Sequence, residues 1–226
     1  MNKNFKHSGY TLIELVLSVF VGSIVLAGAY ASYSVVAGQF NRNSAISEIR
    51  DFAVPTIKIL TRDLRMAGYR AVDSNIESTY AKINPPITIT DVNGSCCDSF
   101  SVIYDKALDN RVRVSYMVLS RTNPNRNALY MDIDQWNGTA WVSQVNDAIV
   151  ADYIDDFQIV GRNNNSSGYP TVIDFNLVFV SKNKTTGTNT FTKPVYSFGN
   201  NNGYSITDNY LREGFDYTVR LRNITN

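Results

Sequence analysis

The chain has 226 residues, with 21 Lys and Arg against 20 Asp and Glu, and its one histidine is His7. Charges that nearly cancel give no compositional sign of a nucleic-acid partner. Beyond residue 9 there is no histidine at all, which excludes Ser-His-Asp and Cys-His chemistry and an ordinary zinc site from the rest of the chain. No catalytic residue, cofactor or metal is expected.

Residues 1–9, MNKNFKHSG, are short, basic and polar. An apolar run follows from Tyr10 to Gly38, with Glu14 as its single charge. From Leu15 to Ala37 the chain is uncharged for 23 residues, roughly 34 Å of helix and enough to cross a hydrocarbon core of about 30 Å. Lys3 and Lys6 hold the N-terminus in the cytoplasm. A secretory signal places its small-residue cleavage site after the apolar stretch; here Gly9 stands before it. A cut after Gly9 removes the basic leader and keeps the helix, which implies a peptidase facing the cytoplasm. It leaves 19 Lys and Arg against 20 acids, since Lys3 and Lys6 depart.

Glu14 is costly in a membrane unless neutralised or paired. With Tyr10 as the new N-terminus, an α-amino cation lies four residues away, on the same chain or a neighbour. Pairing between neighbours would select one axial register among packed helices. The plainer alternative is a tolerated charge near the end of a single-pass anchor. Ser18 and Gly22, Ser23 and Ala27, and Gly28 and Ser32 are each four apart, a spacing that permits close helix approach.

The string Gly9-Tyr10-Thr11-Leu12-Ile13-Glu14-Leu15 resembles the class III prepilin signal of type IV pilins and type II secretion pseudopilins. The resemblance implies cleavage between Gly9 and Tyr10, N-methylation of Tyr10 (an aromatic where the family usually has Phe) and an assembly role for Glu14.

Past Gly38 the pattern turns amphipathic. Ile46, Ile49, Ala53, Ile57, Leu60, Leu64 and Ala67 form one stripe, Pro55 interrupts it, and Gly68 ends it. The expected domains are a leader over 1–9, a transmembrane and filament-core helix over 10–38, and an extracytoplasmic domain over 39–226. That domain divides into an amphipathic helix (39–69) and a β-rich part (70–226). Arg62-Asp63-Leu64-Arg65-Met66-Ala67-Gly68-Tyr69 resembles the end of the N-terminal helix in PilW-like minor pilins. Leu64 and Ala67 would face the core while Arg62 and Arg65 snorkel.

Beyond Tyr69 the period becomes two. Strands are expected over 87–90 and 100–104 around Asn93-Gly94, then over 112–118. Two more, 129–136 and 139–145, flank Asn137-Gly138; the last are 154–160, 172–180, 191–198 and 215–221. Residues 163–168 and 199–209, rich in Asn, Ser and Gly, read as exposed loops. The fold class is α+β, pilin-like, with the long helix packed on an antiparallel sheet. Ile149 to Ile159, and the ending Phe215 to Asn223, also resemble PilW-like and type II J-like pseudopilins.

Four features invite chemistry. Cys96 and Cys97 are adjacent: a vicinal disulfide, a redox switch at a tip, or two small residues, with an oxidised structural pair preferred. Asp132-Ile133-Asp134-Gln135-Trp136-Asn137-Gly138 suggests calcium, but the spacing fails for an EF-type loop and a plain hairpin is preferred. Asp152, Asp155 and Asp156 read as solvated acids beside a strand. Arg111, Arg113, Arg121 and Arg126 lean basic, with Asp105 and Asp109 close by, which leaves DNA binding a minor alternative.

The resemblance implies a low-copy minor pilin that initiates or caps a type IV pilus. The alternatives are a type II secretion or competence pseudopilin, or a tip adhesin or DNA-binding subunit. Implied partners are prepilin peptidase, other minor pilins and the major pilin, the inner-membrane assembly platform, and membrane lipid before assembly. The implied location is the inner membrane with a periplasmic domain, then the pilus or pseudopilus, at its tip.

Overall fold

The computed structural model describes residues 11–73, 76–77, 80, 82–92, 96–122, 126–193 and 204–224. Gly9, Tyr10 and the Asn93-Gly94 turn lie outside them. The chain divides into two compact units, Met1–Asn43 and Ser44–Asn226, and helix α1 (Leu12–Met66) runs through the boundary as one element that Pro55 does not divide.

In the first unit every large apolar side chain of α1 from Leu12 to Phe40 is exposed. A helix apolar all round needs lipid or other helices about it, and this one is long and apolar enough to cross a membrane. Its serines return their hydroxyls to the helix itself. Ser23 donates to the Phe20 carbonyl at 2.7 Å, Ser32 to Gly28 at 3.0 Å and Ser34 to Ala31 at 2.8 Å. Those polar atoms are therefore satisfied without water.

In the second unit the amphipathic stripe of α1 is buried as its spacing predicts. Ile49, Ala53, Ile57, Leu60, Leu64 and Ala67 all enter one core. They meet the inward-facing residues of a seven-stranded antiparallel sheet. Its strands are β3 (Ile87–Thr90), β4 (Ser99–Ala107), β5 (Asn110–Ser120), β6 (Asn127–Trp136), β7 (Trp141–Asn164), β8 (Pro170–Val180) and β11 (Arg212–Arg220). The spatial order is β11-β8-β7-β6-β5-β4-β3, so the strands from β3 to β8 form a meander and β11 returns beside β8. Two small pairs stand apart: β1 (Val72–Asp73) with β2 (Ile76–Glu77), and β9 (Asn189–Thr192) with β10 (Ser205–Asp208). The period of two places Phe100, Val102 and Tyr104 of β4, and Val112, Val114 and Tyr116 of β5, against the helix.

Two local expectations are corrected. Residues 139–145 and 154–160 are not separate strands but parts of the single β7. Its buried residues Ala151, Ile154 and Phe157 are three apart, which no regular strand allows. The register explains it: Asp152 and Ile154 pair with Ala128 and Asn127, leaving Tyr153 extra, and Ile154 and Asp156 pair with Phe179 and Val178, leaving Asp155 extra. Each bulge returns the next apolar residue to the core face, and Tyr153 takes φ 63°. The second correction falls in the expected loop 199–209, where residues 205–208 form β10. There Thr207 and Ser205 share hydroxyl hydrogen bonds with Thr190 and Thr192. The β-branched residues within that Asn-rich stretch favour pairing over solvation.

The Asn137-Gly138 signal does mark a hairpin, closing Trp136 against Trp141. The side-chain carbonyl oxygen of Asn137 accepts the Thr139 and Ala140 amides at 2.9 and 2.8 Å, so Asn137 builds the turn through its side chain.

Candidate assembly site

The start of α1 is a capping box. Thr11 is the residue before the first turn, and its hydroxyl accepts the Glu14 amide at 3.4 Å. The Glu14 carboxylate in turn accepts the Thr11 amide at 3.3 Å. Two amides that helix geometry leaves unpaired are thus satisfied reciprocally, and the carboxylate sits at the positive end of the helix dipole. The sequence carries the signal, Thr-x-x-Glu ahead of an apolar run, but attention to charge alone passes over it. Glu14 therefore has a local duty besides any pairing with an α-amino group.

At the other end of α1 lies a buried carboxylate that sequence reasoning missed. Asp63 is 1% exposed. Tyr116 of β5 donates its hydroxyl to one oxygen at 2.5 Å, and the Arg62 Nε donates to the other at 2.7 Å. Burial, with the Asp63 charge second, raises the phenol of Tyr116 above its ordinary range; the same two causes push Tyr104 up to about 12. Arg62 thus does more than snorkel, since it balances Asp63. Leu64 and Ala67 face the core as expected.

Gly68 closes the helix at φ 77°, where a Cβ would stand 3.0 Å from the Asn223 carbonyl oxygen and 3.3 Å from Pro86. Its amide donates to Ile103 at 2.9 Å, and Asn223 caps the Arg65 carbonyl at 2.9 Å. The Arg222-Asn223 ending and the Arg62-to-Tyr69 string are therefore joined in space.

The sulfurs of Cys96 and Cys97 are joined, Cys96 exposed and Cys97 half-buried. Asp98, beside them, accepts the Val92 and Ile159 amides at 3.0 and 2.9 Å. Burial raises its pKa, against the pull of those two bonds. Cys96, Cys97 and Asp156 bring ligand atoms within 4.8 Å of one another, but the Asp156 carboxylate is already matched by Lys193, both 1% exposed in their side chains.

The Asp152, Asp155 and Asp156 group corrects the expectation of solvated acids. Asp152 pairs with Arg121, Asp155 with Arg212 at 2.9 Å, and Asp156 with Lys193. The bulges of β7 turn these carboxylates toward cations on neighbouring segments. Asp134 is held by Arg113 at 2.7 Å and Asp132 accepts the Asp147 amide at 2.7 Å, so both acids of the hairpin are engaged within the protein. The Arg111 to Arg126 region is likewise engaged internally. Arg111 pairs with Asp105 at 2.8 Å, and Arg126 lies 3.9 Å from the Tyr210 ring centre.

Residues 4–30 match the Prokaryotic N-terminal methylation motif. No curated protein and no solved structure matches the chain. The motif supports a type IV pilin or pseudopilin precursor, processed by prepilin peptidase and assembled into a pilus-like polymer. Together with the apolar helix it fits an inner-membrane anchor with a periplasmic domain, and it points to a structural subunit rather than an enzyme.

Proposed function

We propose that this chain is a PilW-like minor pilin, a precursor cut between Gly9 and Tyr10, methylated on Tyr10, and used to initiate or cap a type IV pilus from its tip. The observation that carries the pilin part of the reading is the methylation motif over residues 4–30; the PilW-like part rests on the resemblance of residues 62–69 and 215–223. The motif spans Gly9, Tyr10 and Glu14 and leads into a helix whose apolar surface is bare. A methylated α-amino group on Tyr10 supplies the cation that Glu14 needs in lipid, and a neighbour's amino group serves equally in an assembled filament. The proposed parts are the leader 1–9, the membrane and filament-core helix 10–38, and the periplasmic domain 39–226. Prepilin peptidase, the other minor pilins, the major pilin and the assembly platform are the partners.

Because Glu14 also caps its helix, its two duties need separate variants. Glu14→Gln keeps an acceptor for the Thr11 amide but loses the charge, whereas Glu14→Ala loses both. Gly9→Leu should leave uncut precursor by immunoblot. Glu14→Gln should be cut, carry N-methyl-Tyr10 by mass spectrometry, and enter filaments poorly. Normal incorporation of Glu14→Gln would refute the charge-pairing account. Deletion of the chain should strip the cell of pili. Intact pili with lost protein secretion, or with lost DNA uptake, would assign it instead to a type II secretion or competence pseudopilus.

A further inference from the structure

Four depressions on the second unit adjoin one another through shared lining residues. One, between α1 and β11, holds Lys58, Arg62 and Arg65 beside Tyr217. Arg65 is shared with a second, where Arg220 and Arg222 stand. Arg222 is shared with a cleft of about 770 Å³ that also contains Arg70, Lys82, Tyr69 and Tyr169. Lys82 then leads into a fourth, lined by Arg111, Arg113, Trp136 and Trp141. Nine Lys and Arg side chains line this track, and no Asp or Glu does among the described residues.

Three of the nine are held by carboxylates set behind them: Arg62 by Asp63, Arg111 by Asp105 and Arg113 by Asp134. Lys58, Arg65, Lys82, Arg220 and Arg222 are exposed, and none has an ion-pair partner among the described residues. A chain with a net charge of only +1 thus gathers unmatched cations around adjoining depressions. Like charges so placed repel one another, and a linear polyanion relieves that repulsion while releasing its counterions.

Aromatic faces interleave with the cations. Tyr217 is 41% exposed, and its ring is held by stacking on Phe175 with 5.7 Å between centres. Tyr69 is 38% exposed. Trp141 is fixed by Trp136 at 5.3 Å and by Arg113 at 4.9 Å. An acidic polysaccharide or a lipid surface would use the charges, but flat π-faces spaced between them suit unstacked bases.

We propose that this track binds single-stranded nucleic acid, with phosphates on the unpaired Lys and Arg side chains and bases on Tyr69, Tyr217 and Trp141. The inference stands apart from the pilin reading, since it uses no residue of the motif.

The test uses the full chain in non-ionic detergent and a fluorescein-labelled oligothymidylate, read by fluorescence polarisation over a salt series. Binding is expected at low salt and should weaken steeply as salt rises. The pair Arg65→Ala and Arg222→Ala should weaken it about tenfold. The same pair should lower the slope of log K on log salt by about 1.4, near 0.7 for each phosphate no longer neutralised. The pair Tyr69→Ala and Tyr217→Ala should weaken binding with the slope unchanged. Lys182→Ala with Lys184→Ala removes the same charge elsewhere and should change little; circular dichroism melts check that each variant is folded. The proposal is overturned by no binding at low salt or by equal losses for the lysine control. It is overturned too by heparin or anionic vesicles binding more tightly than the oligonucleotide without regard to the tyrosines.

Discussion

Asp63 shows what one buried carboxylate asks of its neighbours. An ion taken from water must recover its lost hydration, and here one oxygen takes the Tyr116 hydroxyl and the other Arg62. Tyr116→Phe removes the donor and leaves the carboxylate short of a partner, which should cost about 1–3 kcal/mol; a denaturant melt of the variant measures it. The phenols also set a pH limit. The unfolded chain releases phenolic protons near pH 10 or so, whereas Tyr104 holds its proton up to about 12 and Tyr116 is shifted in the same direction. The folded state therefore keeps more protons than the unfolded state above that point. Stability should be full below about pH 10 and fall as pH rises toward 12, and Tyr116→Phe should soften that fall in melts across this range. From sequence, Asp63 reads as one more charge on an exposed face. Its burial depends on which side of α1 meets β5, which a helical stripe indicates only to within a residue or so.

At the scale of elements, both ends of α1 are set by chemistry at the helix termini, but only one is purely local. The capping box needs nothing beyond Thr11 to Glu14. The C-terminal end needs Gly68, and the reason is tertiary: positive φ combined with the Asn223 carbonyl 3.0 Å from where a Cβ would stand. Gly68→Ala should destabilise the fold by about 1–2 kcal/mol through the left-handed backbone alone, and more if Asn223 is pushed off the Arg65 carbonyl. A lowered thermal midpoint, together with faster amide exchange near the helix end, would register both effects. The β7 strand makes the complementary point. Its three-residue spacing of buried positions conflicts with any strand periodicity, so two short strands are the natural expectation. The bulges at Tyr153 and Asp155 reconcile that spacing with a continuous strand, and they aim Asp155 at Arg212.

On the scale of the whole molecule, the two units differ in what they lack. The first has an apolar surface with nothing of its own to cover it, and the second has a complete core. A chain beginning at Ser44 should therefore remain in the supernatant after ultracentrifugation without detergent and melt cooperatively. The full chain should need detergent to stay in solution. Aggregation of the shorter chain in buffer would show that its core is incomplete. The membrane-length apolar segment, the N-terminal motif, the amphipathic stripe and most of the strands are legible directly, because each follows from local charge, length or period. The pairings of Asp63 with Tyr116, of Asp156 with Lys193 and of Arg65 with Asn223 are not, because their partners lie 37 to 158 residues apart. The same holds for charge: composition reports a near-neutral chain, while folding sets many of its acids behind cations in ion pairs and leaves five other cations around adjoining depressions. Local physics thus determined the membrane-length apolar helix and the methylation motif that overlaps its start, and only the meeting of distant residues decided which of its charges still face the solvent.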